Sequence, residues 1–303
     1  MTSQTPVLPA IRDKKLFCFG YGYTASFLAE VLSPYGWRIA GTTTDPEKLD
    51  HLRAQGIDAH LFNARRPLAD PAAAFDGVTH FLFSIPPDEN GDPAFRLHLD
   101  DIADALTTEW AGYLSTTGVY GNHNGQWIDE NTPPAPDSRR GSLRLKAEEQ
   151  WVSMHLPLHI FRLSGIYGPG RSALDSVLSG TAQRINKPDH VFNRIHIEDI
   201  VQVLVASINQ PSPGEIYNLA DDMPAASSEV ITYACHLANV EPPPLTPYEQ
   251  AELSPMLRSF YKDNKRVMNE KVRNRLGVEL LYPDYRTGLQ ACMDIMNAEK
   301  DTA

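Results

Sequence analysis

The apolar run Leu16-Phe17-Cys18-Phe19 leads straight into Gly20-Tyr21-Gly22-Tyr23-Thr24-Ala25, and a helical period follows. That is GxGxxA in the setting of strand, turn and helix, a cradle for a pyrophosphate. Gly20 permits the tight turn, Gly22 lets a phosphate approach the backbone, and Ala25 lets helix pack on strand. The helix N-terminus then faces the negative charge. The next strand ends Gly41-Thr42-Thr43-Thr44. An acid about 20 positions after the turn would hold the ribose 2′-hydroxyl of NAD. The nearest acid here is Asp45. Three hydroxyls and Lys48 suit a 2′-phosphate instead, so the residues lean towards NADP. The bland reading is that Thr42 and Thr43 are only β-branched residues ending a strand.

Two further groups carry charge in a pattern. In RGSLRLKAEE (140–149), Arg140, Arg144 and Glu148 are four apart, as are Leu143, Ala147 and then Trp151. This is an amphipathic helix whose charged row is either a substituted site or a solvated face. In NRIHIED (193–199), strand alternation puts Arg194 and His196 on one face and Ile195 on the other. Arg194 then suits an anionic or carbonyl group of a substrate. Alternatively it pairs with Glu198 or Asp199, and His196 is a structural histidine.

The elements that must position these groups alternate. Strands are expected at 16–20, 37–43, 59–63, 79–87, 112–119 and 158–168. Helices follow the first two and recur at about 93–108 and 140–154. This predicts an α/β chain with a Rossmann-type doubly wound parallel sheet and a smaller C-terminal lobe. The expected NAD(P)-binding domain is 12–171, completed by about 190–222. The expected substrate-side lobe is 172–189 with 223–303. After Gly170, 171–180 and 198–208 read as helices, EIYNLA (215–220) as a short strand and NKRVMNEKVRNRLG (264–277) as a late helix. This second part has no evident sheet of its own.

Composition bounds the partners. The 303 residues are 42% apolar and 21% charged, enough for a buried core. A net charge of −11 without a basic run argues against nucleic acid and anionic membrane. Three scattered cysteines give neither a disulfide framework nor a metal set. The first fifteen residues contain no export-type apolar stretch, and no run approaches the ~20 residues that span a bilayer. The expected setting is cytoplasmic, the expected partner a small-molecule substrate, with no metal and with a homodimer left open.

Later motifs add a resemblance. LSTTGVYG (114–121), FRLSGIYGPG (161–170), RIHIEDIV (194–201), YNLA (217–220) and YPDYRTGL (282–289) follow the glycine turn in order. Together they resemble the extended short-chain dehydrogenase/reductases, the NAD(P)-dependent epimerase/dehydratase family. Within it the chain is similar to an atypical subgroup without the catalytic tyrosine. The resemblance implies a hydroxyl after the fifth strand, which falls on Thr116. It also implies Tyr-x-x-x-Lys on the next helix. Anchored on Ala147-Glu148, those positions are Arg140 and Arg144, with Gly141 and Leu145 matching; anchored on Lys146, the first is Ser142. Neither register holds a tyrosine. An arginine stays protonated and cannot exchange the proton, which leaves Tyr120 or a water for that role.

The catalytic candidates are therefore Thr116, Tyr120 and Arg144. The resemblance sets Asn63 by the adenine and Ser84, Ile85 and Pro86 beside the cofactor. It sets Tyr167 near the nicotinamide, on the substrate side with Arg194 and His196. Phe192 stands where sugar-nucleotide epimerases carry an arginine, which argues against a nucleotide sugar. The implied activity is hydride transfer on a hydroxyl or carbonyl substrate; the rival is a non-catalytic NAD(P)-binding sensor or interaction module.

Overall fold

The computed structural model describes residues 13–302. The readings made on residues 1–12, including the first residue of the expected Rossmann range, lie outside the described residues. β1 (Lys15–Phe19), β2 (Arg38–Thr43), β3 (Asp58–Leu61), β4 (His80–Phe83) and β5 (Trp110–Thr116) alternate with α1 (Tyr23–Leu32), α2 (Pro46–Ala54), α3 (Pro71–Phe75) and α4 (Pro93–Ala103). The chain continues through β6 (Trp127–Ile128), α5 (Arg139–Val152), β7 (Leu158–Leu163), β8 (Gly165–Tyr167), α6 (Ala173–Leu178) and β9 (Arg184–Asn186). Next come β10 (Arg194–His196), α7 (Ile197–Asn209), β11 (Ile216–Leu219) and α8 (Ser227–Leu237). It ends with β12 (Leu245–Pro247), α9 (Pro255–Phe260), β13 (Arg266–Val267), α10 (Glu270–Leu276) and α11 (Tyr285–Thr302).

The central sheet has seven strands in the order β11-β7-β5-β4-β1-β2-β3. All its pairs are parallel. The chain moves from β1 towards β3 on one side and from β4 towards β11 on the other. The order therefore reverses between β1 and β4, and the crevice outside their carboxyl ends is where such sheets take ligands. Alternation along β1 feeds two cores. Leu16 and Cys18 pack with α1 and α7 on one face, while Phe17 and Phe19 pack with Phe75, Phe81 and Trp151 on the other.

Three helices start with Asp-Pro. Asp45, Asp70 and Asp92 each accept first-turn backbone N–H groups, with proline fixing the next φ. Asp45, the acid nearest the NAD-ribose position, is thus a helix cap. Helix α1 begins differently: its N-cap is Gly22 and no side chain caps it.

The structure refines the expected elements in several places. The run 158–168 is not one strand: at Ser164 it leaves the sheet, and β8 pairs instead with β10. EIYNLA supplies β11, which adds the seventh strand at the β7 edge. Outside the central sheet three two-stranded ladders form, β8–β10, β9–β12 and β6–β13. The late helix shortens to α10 because Arg266 and Val267 pair with Trp127 and Ile128. Helix α11 was not anticipated; Tyr285, Leu289, Cys292 and Met293 line its buried face in the small-lobe core.

Candidate functional site at the glycine turn

The turn after β1 is pinned from both neighbouring strands. Gly20 has φ +89, open to glycine at little cost. Its N–H donates to Thr42 Oγ1 at 2.8 Å, and Tyr21 N–H donates to the Thr42 carbonyl at 2.7 Å. From β4, Ser84 Oγ donates to the Gly20 carbonyl at 2.7 Å. A Cβ on Gly20 would come within 2.9 Å of that oxygen. Lys48 Nζ donates to the Tyr21 carbonyl at 2.7 Å and brings a cation beside the turn.

Gly22 is the opposite case. A Cβ there would meet nothing within 4 Å. Space therefore lies open in front of the uncapped first turn of α1, in the place where GxGxxA seats a pyrophosphate. By this test the residues present fit a dinucleotide. The Tyr167–Gly170 turn packs against Tyr23 at the start of α1. Tyr23 hydroxyl donates to the Pro169 carbonyl at 2.9 Å, and the Arg171 guanidinium lies 5.6 Å over the Tyr23 ring.

The remaining cofactor-side candidates are largely tied up. Thr42 is buried as the anchor just described. Thr43 Oγ1 accepts from Asp45 N–H at 3.2 Å, and Asn63 Oδ1 accepts from Arg65 N–H at 2.9 Å. The Ile85 carbonyl accepts from Arg144, and Pro86 is exposed beyond it.

Helix α5 settles the charged row residue by residue. Arg140 is exposed, its guanidinium 5.4 Å over the Phe260 ring of α9. Arg144 is half-buried. Its Nη1 donates to the Ile85 carbonyl at 3.2 Å, the Tyr113 hydroxyl at 3.1 Å and the Leu114 carbonyl at 3.0 Å. It fixes a positive charge between the Ile85 segment after β4 and the Tyr113–Leu114 stretch of β5. Glu148 is buried against Arg162, with Nε–Oε1 at 3.1 Å and Nη2–Oε2 at 2.6 Å, and also accepts from Ser115 Oγ. The row is a solvated face only at its first member.

Thr116 caps the short turn of 117–120. Its Oγ1 accepts from Gly118 N–H at 3.1 Å, which leaves its own proton to donate. Tyr120 ends the same turn. It is fully buried, donates to Asn218 Oδ1 at 2.8 Å and has the Arg162 guanidinium 4.8 Å over its ring. Burial pushes its pKa up, so neither access nor acidity suits proton exchange. No tyrosine occurs in α5 (Arg139–Val152).

The Arg194 segment is anchored by its neighbours. Arg194 Nη1 donates to the Phe192 and Ala225 carbonyls at 3.0 and 3.1 Å, and the charge drawing on it is Asp221. Glu198 and Asp199 are engaged elsewhere: Glu198 accepts from Tyr282 hydroxyl at 2.9 Å, and Asp199 from Leu281 and Tyr282 N–H at 2.6 and 3.2 Å. Tyr167 is buried, its ring in the small-lobe core and its hydroxyl 3.4 Å from the Asp284 carbonyl.

His196 is fully buried as the N-cap of α7. Its Nδ1 accepts from Glu198 N–H at 3.3 Å, Nε2 lies 3.9 Å from Cys292 Sγ, and the Tyr167 and Tyr282 rings enclose it. Burial pushes its pKa down to about 4. The unfolded chain therefore binds more protons as pH falls from about 6.5 towards 4, and stability is lost over that window. Replacing His196 with Asn keeps a cap and removes the titration. The variant should lose up to about 3 kcal/mol less than the parent between those pH values in urea unfolding. Parallel curves for the two proteins would refute a neutral buried His196.

Residues that sequence reasoning passed over are Arg162, Ser115 and Arg171. The signal for Arg162 was visible: an arginine inside the apolar run LHIFRL demands a buried acid.

Comparison with known proteins now bears on this geometry. The fold is shared with solved structures described as a putative NAD-dependent epimerase/dehydratase and as a short-chain dehydrogenase/reductase superfamily protein. A putative NAD-dependent epimerase/dehydratase from Methylobacillus flagellatus superimposes with a TM-score of 0.71 at 23% identity, covering 94% of this chain and 99% of that one. Further solved structures of this fold, at 15–17% identity, are described as holding NAD. The chain belongs to one family with a conserved protein from Silicibacter pomeroyi DSS described as functionally unknown. The two are 47% identical with a TM-score of 0.85, over 93% of this chain and 99% of that one. Protein YeeZ of Escherichia coli (strain K12) is 27% identical over 89% of this chain and 97% of its own length. No family profile matches the chain. Among the described residues no helix is long and apolar enough to cross a membrane, and no group of three or more His, Cys, Asp or Glu could hold a metal ion.

Proposed function

We propose that the protein binds NAD(P) along the carboxyl edge of its sheet and acts as an oxidoreductase on a hydroxyl or carbonyl substrate. The observation that carries this reading is the open space before Gly22 and the uncapped N-terminus of α1. Gly20 to Ala25 would hold the pyrophosphate. Ser84, Ile85 and Asn63 would flank the dinucleotide. Lys48 and Thr43 favour a 2′-phosphate, hence NADP. Once bound, the nicotinamide would supply or accept the hydride. Thr116 would donate a hydrogen bond to the reacting oxygen. Arg144, held by three acceptors through Nη1, would polarise that oxygen as a fixed cation. It cannot exchange a proton. With Tyr120 buried, the proton passes to or from water.

The absence of a tyrosine in α5 favours a second reading, a non-catalytic NAD(P)-binding sensor. One experiment separates the two. NADPH and NADH are titrated by fluorescence, and oxidation of the reduced cofactor is then followed with a panel of aldehydes and ketones. The oxidoreductase reading expects saturable binding, tighter for NADPH, and turnover that falls about 10- to 100-fold in Thr116→Val with cofactor affinity unchanged. Binding without turnover across the panel supports the sensor; no binding of either nucleotide defeats both.

A further inference from the structure

The outer flank of α8 faces a groove of about 560 Å³. Ser228, Thr232 and His236 line it from one row of the helix, with Glu229 and Tyr233 beside them. Arg184 of β9, Leu245 of β12, and Tyr285 and Arg286 of α11 form the other walls. Alternation along β9 fixes the direction. Ile185 packs into the cluster with Tyr261, Phe192 and Tyr248, so Arg184 points to the other face and into the groove. The groove shares no residue with the glycine turn, Thr116 or Arg144. Its volume falls within the range of small-molecule sites, roughly 300–1,000 Å³.

The lining is cationic although the whole chain carries −11. Arg184 and Arg286 stand against Glu229 alone. Among the described residues the salt-bridged arginines are others, and neither Arg184 nor Arg286 pairs with a carboxylate. Arg184 Nη1 reaches only Thr232 Oγ1, at 3.4 Å, and its Nε is buried without an acceptor. Arg286 Nη1 meets Met223 Sδ at 2.9 Å, and its guanidinium lies 4.8 Å over the Tyr285 ring. A guanidinium without a carboxylate partner keeps N–H groups free to bind an anionic oxygen in a fork. Tyr233 and Tyr285 meet edge to face, centroids 5.8 Å apart, and give the groove an aromatic wall.

We propose that this groove is a second ligand site, taking a small ring-bearing anion with its charged oxygens between Arg184 and Arg286 and its ring against Tyr233. The shared chemistry is an aromatic ring carrying a phosphate or a carboxylate, and the experiment separates the two sources. Phenyl phosphate, benzoate and inorganic phosphate are titrated calorimetrically into the full-length protein at matched ionic strength. A ring-bearing anion should bind saturably and more tightly than inorganic phosphate. Tighter phenyl phosphate assigns a phosphate ester; tighter benzoate assigns a carboxylate. Arg184→Gln and Arg286→Gln should each weaken binding about tenfold, and Arg275→Gln, outside the groove, should not. NADPH is titrated into the same variants and should bind as in the parent, so this site and the dinucleotide reading stand or fall separately. The proposal is overturned if no probe saturates, if inorganic phosphate binds as tightly as the ring-bearing anions, or if binding survives in the Arg184→Gln/Arg286→Gln double variant.

Discussion

Gly22→Val is expected to abolish NADPH and NADH binding, with affinity falling about a hundredfold or more, while the protein stays folded. The two halves of that expectation have separate causes. Gly22 has φ −106 and ψ −159, a conformation open to any residue, and a Cβ there has no neighbour within 4 Å. The free protein therefore meets no clash. Valine is a poor helix cap, which costs on the order of 1 kcal/mol against glycine. The same empty space is where the pyrophosphate would lie, and the branched side chain would occupy it. Fluorescence titration and a thermal melt together read the result. Retained affinity would remove the glycine turn as a dinucleotide site. Gly20→Ala serves as the contrast. With φ +89 and Ser84 Oγ 2.9 Å from the new Cβ, it should fail through the fold and lower the melting temperature.

The largest stability effect should come from the pair under the site. Glu148→Ala is expected to cost about 3–5 kcal/mol in urea unfolding. Glu148 and Arg162 are each 3% exposed. Removing the carboxylate strands a guanidinium between Tyr120 and Ser115, and arginine cannot escape by losing its proton. The replacement Glu148→Leu/Arg162→Met removes both charges and should recover most of the loss, since a buried pair contributes little net stability over an apolar core. A cost below about 1 kcal/mol for Glu148→Ala would show that water reaches the pair.

How far the sequence spoke depended on whether a signal was local. The glycine turn, the first five strands and the parallel sheet were legible because strand periodicity and GxGxxA are properties of neighbouring residues. The break at Ser164 was not. Nothing in LHIFRLSGIYG marks where a strand stops pairing with β5 and starts pairing with β10, because that depends on a partner beyond residue 190. Helix α11 was hidden for a related reason. Its polar residues mask the apolar stripe, and the small lobe it packs on is assembled from distant segments. At the site, the family resemblance picked out Thr116 and Arg144 as candidates. They could not separate an exposed Arg140 from a buried Glu148 in one row, since each fate is set by what faces α5. His196 and Tyr167 lay in motifs that also build the fold, and both are enclosed in the small-lobe core.

The path of the chain between the two parts has a consequence for recombination. After β7 the chain leaves the sheet for β8, α6 and β9. It returns for α7 and β11, then leaves again for α8 to α11. The small lobe therefore has no uninterrupted stretch of gene, and a single crossover cannot exchange it between relatives. A fragment ending at Gly170 would lack both β11 and α7. It would bare the hydrogen-bonding edge of β7 and the apolar face against α1, a template for aggregation. Exchanging that lobe between relatives would need three junctions, one near Gly170 and one on each side of the returning α7–β11 segment.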